Sequence, residues 1–215
     1  MTRSSPRPST GCAPIAEHGP PGPPHHRLVL VEGIPGAGKT TTATRLAALL
    51  RDRAVPAVVH LEGQPNPADL AWQWWLPGEE FAQVLASHPQ AADELRRCAW
   101  VGSTGVAIAY TQVDPAAAGP TWPALAAQLA DHEPFDGRLS ADRFVDLLVT
   151  RWSELGRSAP PGVTILEAAF LQDTLVELLL WAEWDLDRIV PALRRLADAV
   201  APLAPLVVRL SVADP

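Results

Sequence analysis

The 215-residue chain is 47% hydrophobic and 19% charged, which suits one domain with an insertion better than two domains. Twenty-four acidic against 17 basic residues give a net charge of -7. This excludes a phosphate-backbone reader, which needs a basic footprint, and no apolar run of about 18 residues is available to span a membrane. Two cysteines, Cys12 and Cys98, and no signal-peptide apolar segment argue against a disulfide framework and point to a cytoplasmic protein.

Residues 1–26 read as a disordered, proline-rich leader, with Pro6, Pro8, Pro14, Pro20, Pro21, Pro23 and Pro24 breaking any helix or ladder. Order is expected from Arg27, so 27–215 form the folded domain. Leu28 to Val31 is a short continuous apolar run, as in a buried parallel strand. Gly33 to Gly38 is a glycine-rich turn. From Lys39 a helix follows, with Ala43, Leu46, Ala47 and Leu50 at three- and four-residue spacing. Residues 54–61 predict a second strand. Residues of about 65–160 predict a helical, irregular insertion broken by prolines. Within it Ser140 is a candidate N-cap for a helix carrying Phe144, Leu147, Leu148 and Trp152. Val163 to Leu166 predicts a third strand. Helices follow over 173–182 and 186–200, the second kinked or split at Pro191, and a fourth strand over 205–210. Strands alternating with helices predict an α/β fold: three layers around a parallel sheet, with a helical insertion after the second strand and ligands at the carboxyl ends of the strands.

Gly33-Ile34-Pro35-Gly36-Ala37-Gly38-Lys39-Thr40 has the spacing of a Walker A loop. Glycines permit positive φ and leave no side chain between backbone N–H groups and a phosphate. The helix that follows points its positive dipole end at the same anion. On this reading Gly33 to Thr41 bind ATP, Lys39 bridges the β- and γ-phosphates, and the Thr40 hydroxyl ligates Mg²⁺. Sixteen of the 17 basic residues are arginine; the single lysine is Lys39, at the one position that needs a compact charge.

Glu167, ending the third strand, is the candidate acidic residue for Mg²⁺, directly or through water, or for orienting the acceptor. The alternative is a solvated strand end. Glu62, ending the second strand, is a candidate substrate contact, or else a capping or surface residue. Glu32 reads as structural. Trp72 and Trp75, three apart, predict one helical face that packs or stacks a ring. Arg96 and Arg97 could grip an anion but read as exposed, and no His/Cys spacing resembles a metal site.

Gly33-x-x-Gly36-x-Gly38-Lys39-Thr40-Thr41 at the start of a small α/β domain resembles the P-loop nucleoside and nucleotide kinases, thymidylate kinase being the nearest type. The likeness is specific over 28–50 and architectural over 54–210. It implies γ-phosphoryl transfer from ATP to a small-molecule acceptor bound at the insertion. Those kinases often carry arginine after the acidic residue at Glu167; here Ala168 follows. The strand at 206–210 resembles the one leading into their arginine-bearing lid, yet the chain ends at Pro215. The expectation is therefore a chain that is truncated or needs a partner. Arg151, Arg157 and Arg209 are conceivable substitutes for lid arginines but read as surface charges. The other reading is a nucleotide-dependent regulatory module with no acceptor.

Overall fold

A computed structural model describes residues 25–64 and 66–212. The expected leader falls almost wholly outside the described residues; its last two, His25 and His26, lie inside, and His26 Nδ1 sits 2.6 Å from the Ala204 carbonyl oxygen.

Four parallel strands form the central sheet: β1 (Leu28–Gly33), β2 (Ala57–His60), β6 (Val163–Glu167) and β7 (Leu206–Leu210), in the spatial order β2-β6-β1-β7. Parallel pairing brings the carboxyl ends of all four strands to one edge, so Gly33 lies opposite Leu210 and Val31 opposite Glu167. The alternating faces of the strands serve two cores. Val29, Val31, Val163 and Ile165 pack against Ala43 and Ala47 of helix α1 (Lys39–Asp52). Leu28, Leu30 and Leu166 face the other way. They pack on Phe144, Leu148 and Trp152 of α6 (Ala141–Ser158) and on Ile189 and Leu196 of α8 (Leu186–Ala199). This two-sided burial is why β1 and β6 read as unbroken apolar runs. The result is an α/β architecture with helices on both faces of a parallel sheet.

Ser140 occupies the N-cap position of α6 with extended backbone, but its side chain makes no capping bond. Helix α7 (Gln172–Leu175) continues into a π-helical turn over Val176–Trp181. Pro191 does not split α8, which runs through it. Pro191 is on the exposed face, where water can satisfy the carbonyl freed by its missing N–H. Gly156 on α6 lets the Ala199 carbonyl at the end of α8 approach where a Cβ would collide with it.

The insertion is not purely helical. Besides α2 (Gly78–Ser87), α3 (Ala92–Cys98), α4 (Pro115–Ala118) and α5 (Trp122–Leu129) it holds a three-stranded antiparallel sheet. Its strands are β3 (Trp74–Leu76), β4 (Ala99–Gly102) and β5 (Gly105–Ile108), ordered β3-β5-β4. Trp74, Leu76, Val106 and Ile108 face a core of the insertion's own. Trp75 and Ala107 face the core beneath α6. Trp72 precedes β3 in a turn at φ 61°, so Trp72 and Trp75 do not share a helical face. Cys98 is a buried free thiol. Among the described residues no helix is long and apolar enough to cross a membrane.

Candidate functional site

The glycine-rich turn joins β1 to α1 at the carboxyl edge of the sheet. Gly36 (φ 82°) and Gly38 (φ 88°) take left-handed conformations that L side chains adopt only under strain. A Cβ at either would meet nothing within 4 Å, so the loop is open there. Gly33 is fixed for a different reason: a Cβ would lie 2.7 Å from the Leu210 carbonyl oxygen of the neighbouring strand. The first turn of α1 carries no acidic side chain, so nothing there offsets the positive end of the helix dipole.

Lys39 opens α1 and is buried. Its ammonium donates to Gln172 Oε1 at 2.9 Å and pairs with Glu62 Oε2 at 3.3 Å. Gln172 Nε2 closes the ring by donating to Glu62 Oε1 at 2.6 Å. Three elements distant in sequence, α1, the loop after β2 and α7, are therefore tied through one lysine.

The next residue makes the second link. Thr40 Oγ1 donates to Glu167 Oε1 at 2.6 Å, and the Glu62 backbone N–H donates to Glu167 Oε2 at 3.2 Å. Glu167 is buried with both oxygens engaged, which settles against a solvated strand end. It lies at the end of β6, beside the loop strand. Two oxygen donors, Thr40 Oγ1 and Glu167 Oε1, converge here, a donor type that suits a hard divalent cation.

Glu32, at the end of β1, is buried and accepts the backbone N–H groups of Phe170 (2.9 Å) and Gln172 (3.3 Å). It fixes the start of α7 and so positions the glutamine that touches Lys39. Burial pushes its carboxyl above the ordinary range, partly offset by those N–H groups and by Lys39. Ala168, at φ 64°, turns the chain between Glu167 and α7, with its N–H on Val31.

Two depressions flank this centre. A cleft of about 430 Å³ runs between Gly33–Pro35, Leu171, Leu175 and the end of β7, where Arg209 and Val212 line it. A cavity of about 460 Å³ opens beyond Glu62 and is lined by Asp69, Asp173, Trp72 and Tyr110 among others. The carboxyls of Asp69 and Asp173 bond to one another. Burial first, then the charges of Asp69, Glu62 and Glu32, push the Asp173 carboxyl up to about 8, against a small opposing effect of Lys39. Asp69 is likewise raised by burial, with the N–H groups of Ala71 and Leu70 and the charge of Arg151 opposing.

The arginines distribute differently from the surface-charge expectation. Arg157 and Arg209 are exposed, but Arg151 is buried. It donates to the Asn66 and Asp69 carbonyls and to Gln73 Oε1, with its guanidinium 4.0 Å from the centre of the Trp100 ring. Burial lowers its pKa to about 10. Arg151 thus braces the 66–73 segment from behind Asp69. Arg97 grips the internal carboxylate of Glu94, and Arg96 pairs with Asp93 on the same helix.

Of the residues singled out from sequence, Lys39, Thr40, Glu62 and Glu167 meet at one point, with Gly33, Ile34, Pro35, Gly36, Ala37, Gly38 and Thr41 around them. Gln172, Asp69 and Asp173 were not anticipated. No motif marks them, and the only available hint was the position of Gln172 and Asp173 in the first turn after the strand ending in Glu167. Compared with protein-family models, curated proteins and solved structures, the chain matches none.

Proposed function

We propose that the chain is a P-loop nucleotide-binding protein that takes ATP with Mg²⁺ on Gly33 to Thr41 and transfers the γ-phosphoryl group to a small-molecule acceptor. The observation carrying this reading is the convergence of Lys39, Thr40, Glu62 and Glu167 at the mouth of an open glycine loop, on the carboxyl edge of a parallel sheet.

The loop amides and the positive end of α1 would hold the phosphates, with Lys39 adding a compact charge. Lys39 is already immobilised by Gln172 and Glu62, so little side-chain freedom remains to be lost on binding. Thr40 and Glu167 fit Mg²⁺ as the protein's share of an octahedral oxygen set. Among the described residues no group of three or more His, Cys, Asp or Glu could hold a metal ion, and Mg²⁺ ordinarily takes its remaining ligands from phosphate and water. When bound, the ion would neutralise charge between the β- and γ-phosphates. Glu32, Glu62 and Glu167 surround a single lysine, so the fixed charge of the centre is negative, and a divalent cation is what lets a polyphosphate enter it. Glu167 would orient Thr40 and the ion's water shell, while Glu62 would stand between Lys39 and the acceptor. With phosphoryl transfer resting on positioning and electrostatics, these placements carry the catalytic argument.

The test is calorimetric titration of MgATP into the native protein and into Lys39→Met, which retains most of the stem's packing. Native binding that weakens by about 30-fold or more in the variant is expected from loss of one charge-assisted contact to phosphate. A folded native protein that does not bind MgATP refutes the reading. Acceptor-independent, slow hydrolysis would instead favour a regulatory module.

A further inference from the structure

The cavity beyond Glu62 has an unusual charge balance. Its carboxyl lining comprises Glu62, Asp69, Glu133, Asp136 and Asp173, and among the described residues no lysine or arginine lines it. Of these five, Glu62 alone has an ion-pair partner among the described residues; Asp69, Glu133, Asp136 and Asp173 have none there. Arg151, the nearest guanidinium behind Asp69, directs its hydrogen bonds to carbonyl oxygens instead. Asp69 is only 7% exposed. One of its oxygens accepts the Leu70 and Ala71 N–H groups, and its carboxyl also meets that of Asp173. Asp69, Glu133 and Asp136 face this cavity without an ion-pair partner among the described residues, and such a lining favours a cationic ligand.

The aromatic lining points the same way. Trp72 is 46% exposed at this cavity, with Tyr110 and Phe135 also lining it. Tyr110 donates its hydroxyl to Glu133 at 3.0 Å and stacks one face of its ring on Trp74. Aromatic faces attract cations and stack on rings, and both gains grow where water is excluded. Asp173 adjoins Gln172, which touches Lys39, so the Asp69–Asp173 pair sits at the phosphoryl end. Glu133 and Asp136 come from the segment between α5 and α6.

We propose that this cavity is the acceptor site and that it selects a hydroxyl-bearing amine, its ammonium held by Glu133, Asp136 and the aromatic faces, its hydroxyl turned toward the Asp69–Asp173 pair. The assignment rests on the phosphoryl-transfer reading above and names the substrate class for it. It also disfavours nucleoside monophosphates, whose own charge would meet Glu62, Glu133 and Asp136. In the transfer, the acceptor oxygen forms a bond to the γ-phosphorus and the bond from that phosphorus to the β–γ bridging oxygen breaks. The nucleoside diphosphate leaves with the electron pair, and the hydroxyl proton passes to the ionised member of the aspartate pair. Burial raises both carboxyls, and the transfer uses the pair in its singly protonated form, with one carboxylate free to take the proton.

The experiment is calorimetric titration of the native protein, without nucleotide, with glucosamine, 2-deoxystreptamine and tyramine, and with the N-acetyl form of each. At least one free amine is expected to bind about tenfold or more tightly than its N-acetyl form. Glu133→Gln, at a partly exposed wall position where misfolding is not a concern, should erase most of that preference, whereas Asp173→Asn, on the hydroxyl side, should leave it. N-acetyl forms that bind as well as the amines, thymidine binding where no amine does, or no binding by any amine each overturn the proposal. MgATP titrated separately into the same native protein keeps the two readings apart. Amine binding without ATP binding defeats only the phosphate site, and ATP binding without amine binding defeats only the acceptor assignment.

Discussion

Replacing Asp173 by asparagine should stabilise the free protein increasingly as pH rises. In the fold this carboxyl is half-buried near Asp69, Glu62 and Glu32, with Lys39 opposing them, and it is pushed up to about 8 against an ordinary 3.8. The folded state therefore keeps a proton that the unfolded chain has already released. A raised carboxyl pKa gives stability that is complete below the unfolded value and is lost as pH climbs through the folded value. The slope is about 1.4 kcal/mol per pH unit while the two states differ by one proton. Between pH 5 and 8 this amounts to about 2–4 kcal/mol, a large part of the net stability of a domain. The asparagine amide can donate to Asp69 where the protonated carboxyl now does, and it has no charge to bury. Urea denaturation of both proteins at pH 5, 6.5 and 8 measures the difference. Near-equal stability at pH 5 and a widening advantage for the variant at pH 8 are expected. Glu32 also has a raised value and remains in the variant, while Asp69 and Asp173 act on each other, so the difference reports the aspartate pair. Parallel profiles would refute the argument that the aspartate is held neutral by its surroundings.

Thr40→Val removes the hydroxyl that bonds Glu167 at 2.6 Å. It should weaken MgATP binding about tenfold or more while leaving metal-free ADP binding nearly unchanged, as calorimetry with and without EDTA would show. Gly156→Ala places a Cβ against the Ala199 carbonyl and should destabilise by about 1–3 kcal/mol, read as a lower denaturant midpoint at unchanged slope.

What the sequence made legible was local. Leu28 to Val31, the glycine turn and the start of α1 are contiguous, so apolar runs, glycines and periodicity mark them directly. The end of β6 at Glu167 was visible because its apolar run stops there. The antiparallel sheet of the insertion was not, since its strands are three or four residues long and too apolar to show alternation. Lys39 meets Gln172 across 133 positions, a pairing that depends on the parallel register of β1 and β6 rather than on any motif. Arg151 read as a surface charge for a related reason. A lone arginine on an amphipathic helix looks like a solvated charge until Asn66, Asp69 and Gln73 fold over it.

Trp74 and Trp75 are neighbours in the chain but belong to different cores. The small antiparallel sheet is thus a party wall, and its two sides answer to different partners. The insertion cannot be exchanged as a self-contained cassette without repacking the core beneath α6. Excising the part before α6 would strip Leu70, Trp75 and Ala107 from the core they share with Phe144, Leu148 and Trp152. Deleting one residue within β3 would transpose the two cores at a stroke. Change in this lineage is therefore expected to run through substitutions at the rim of the insertion, with the length of the wall held constant.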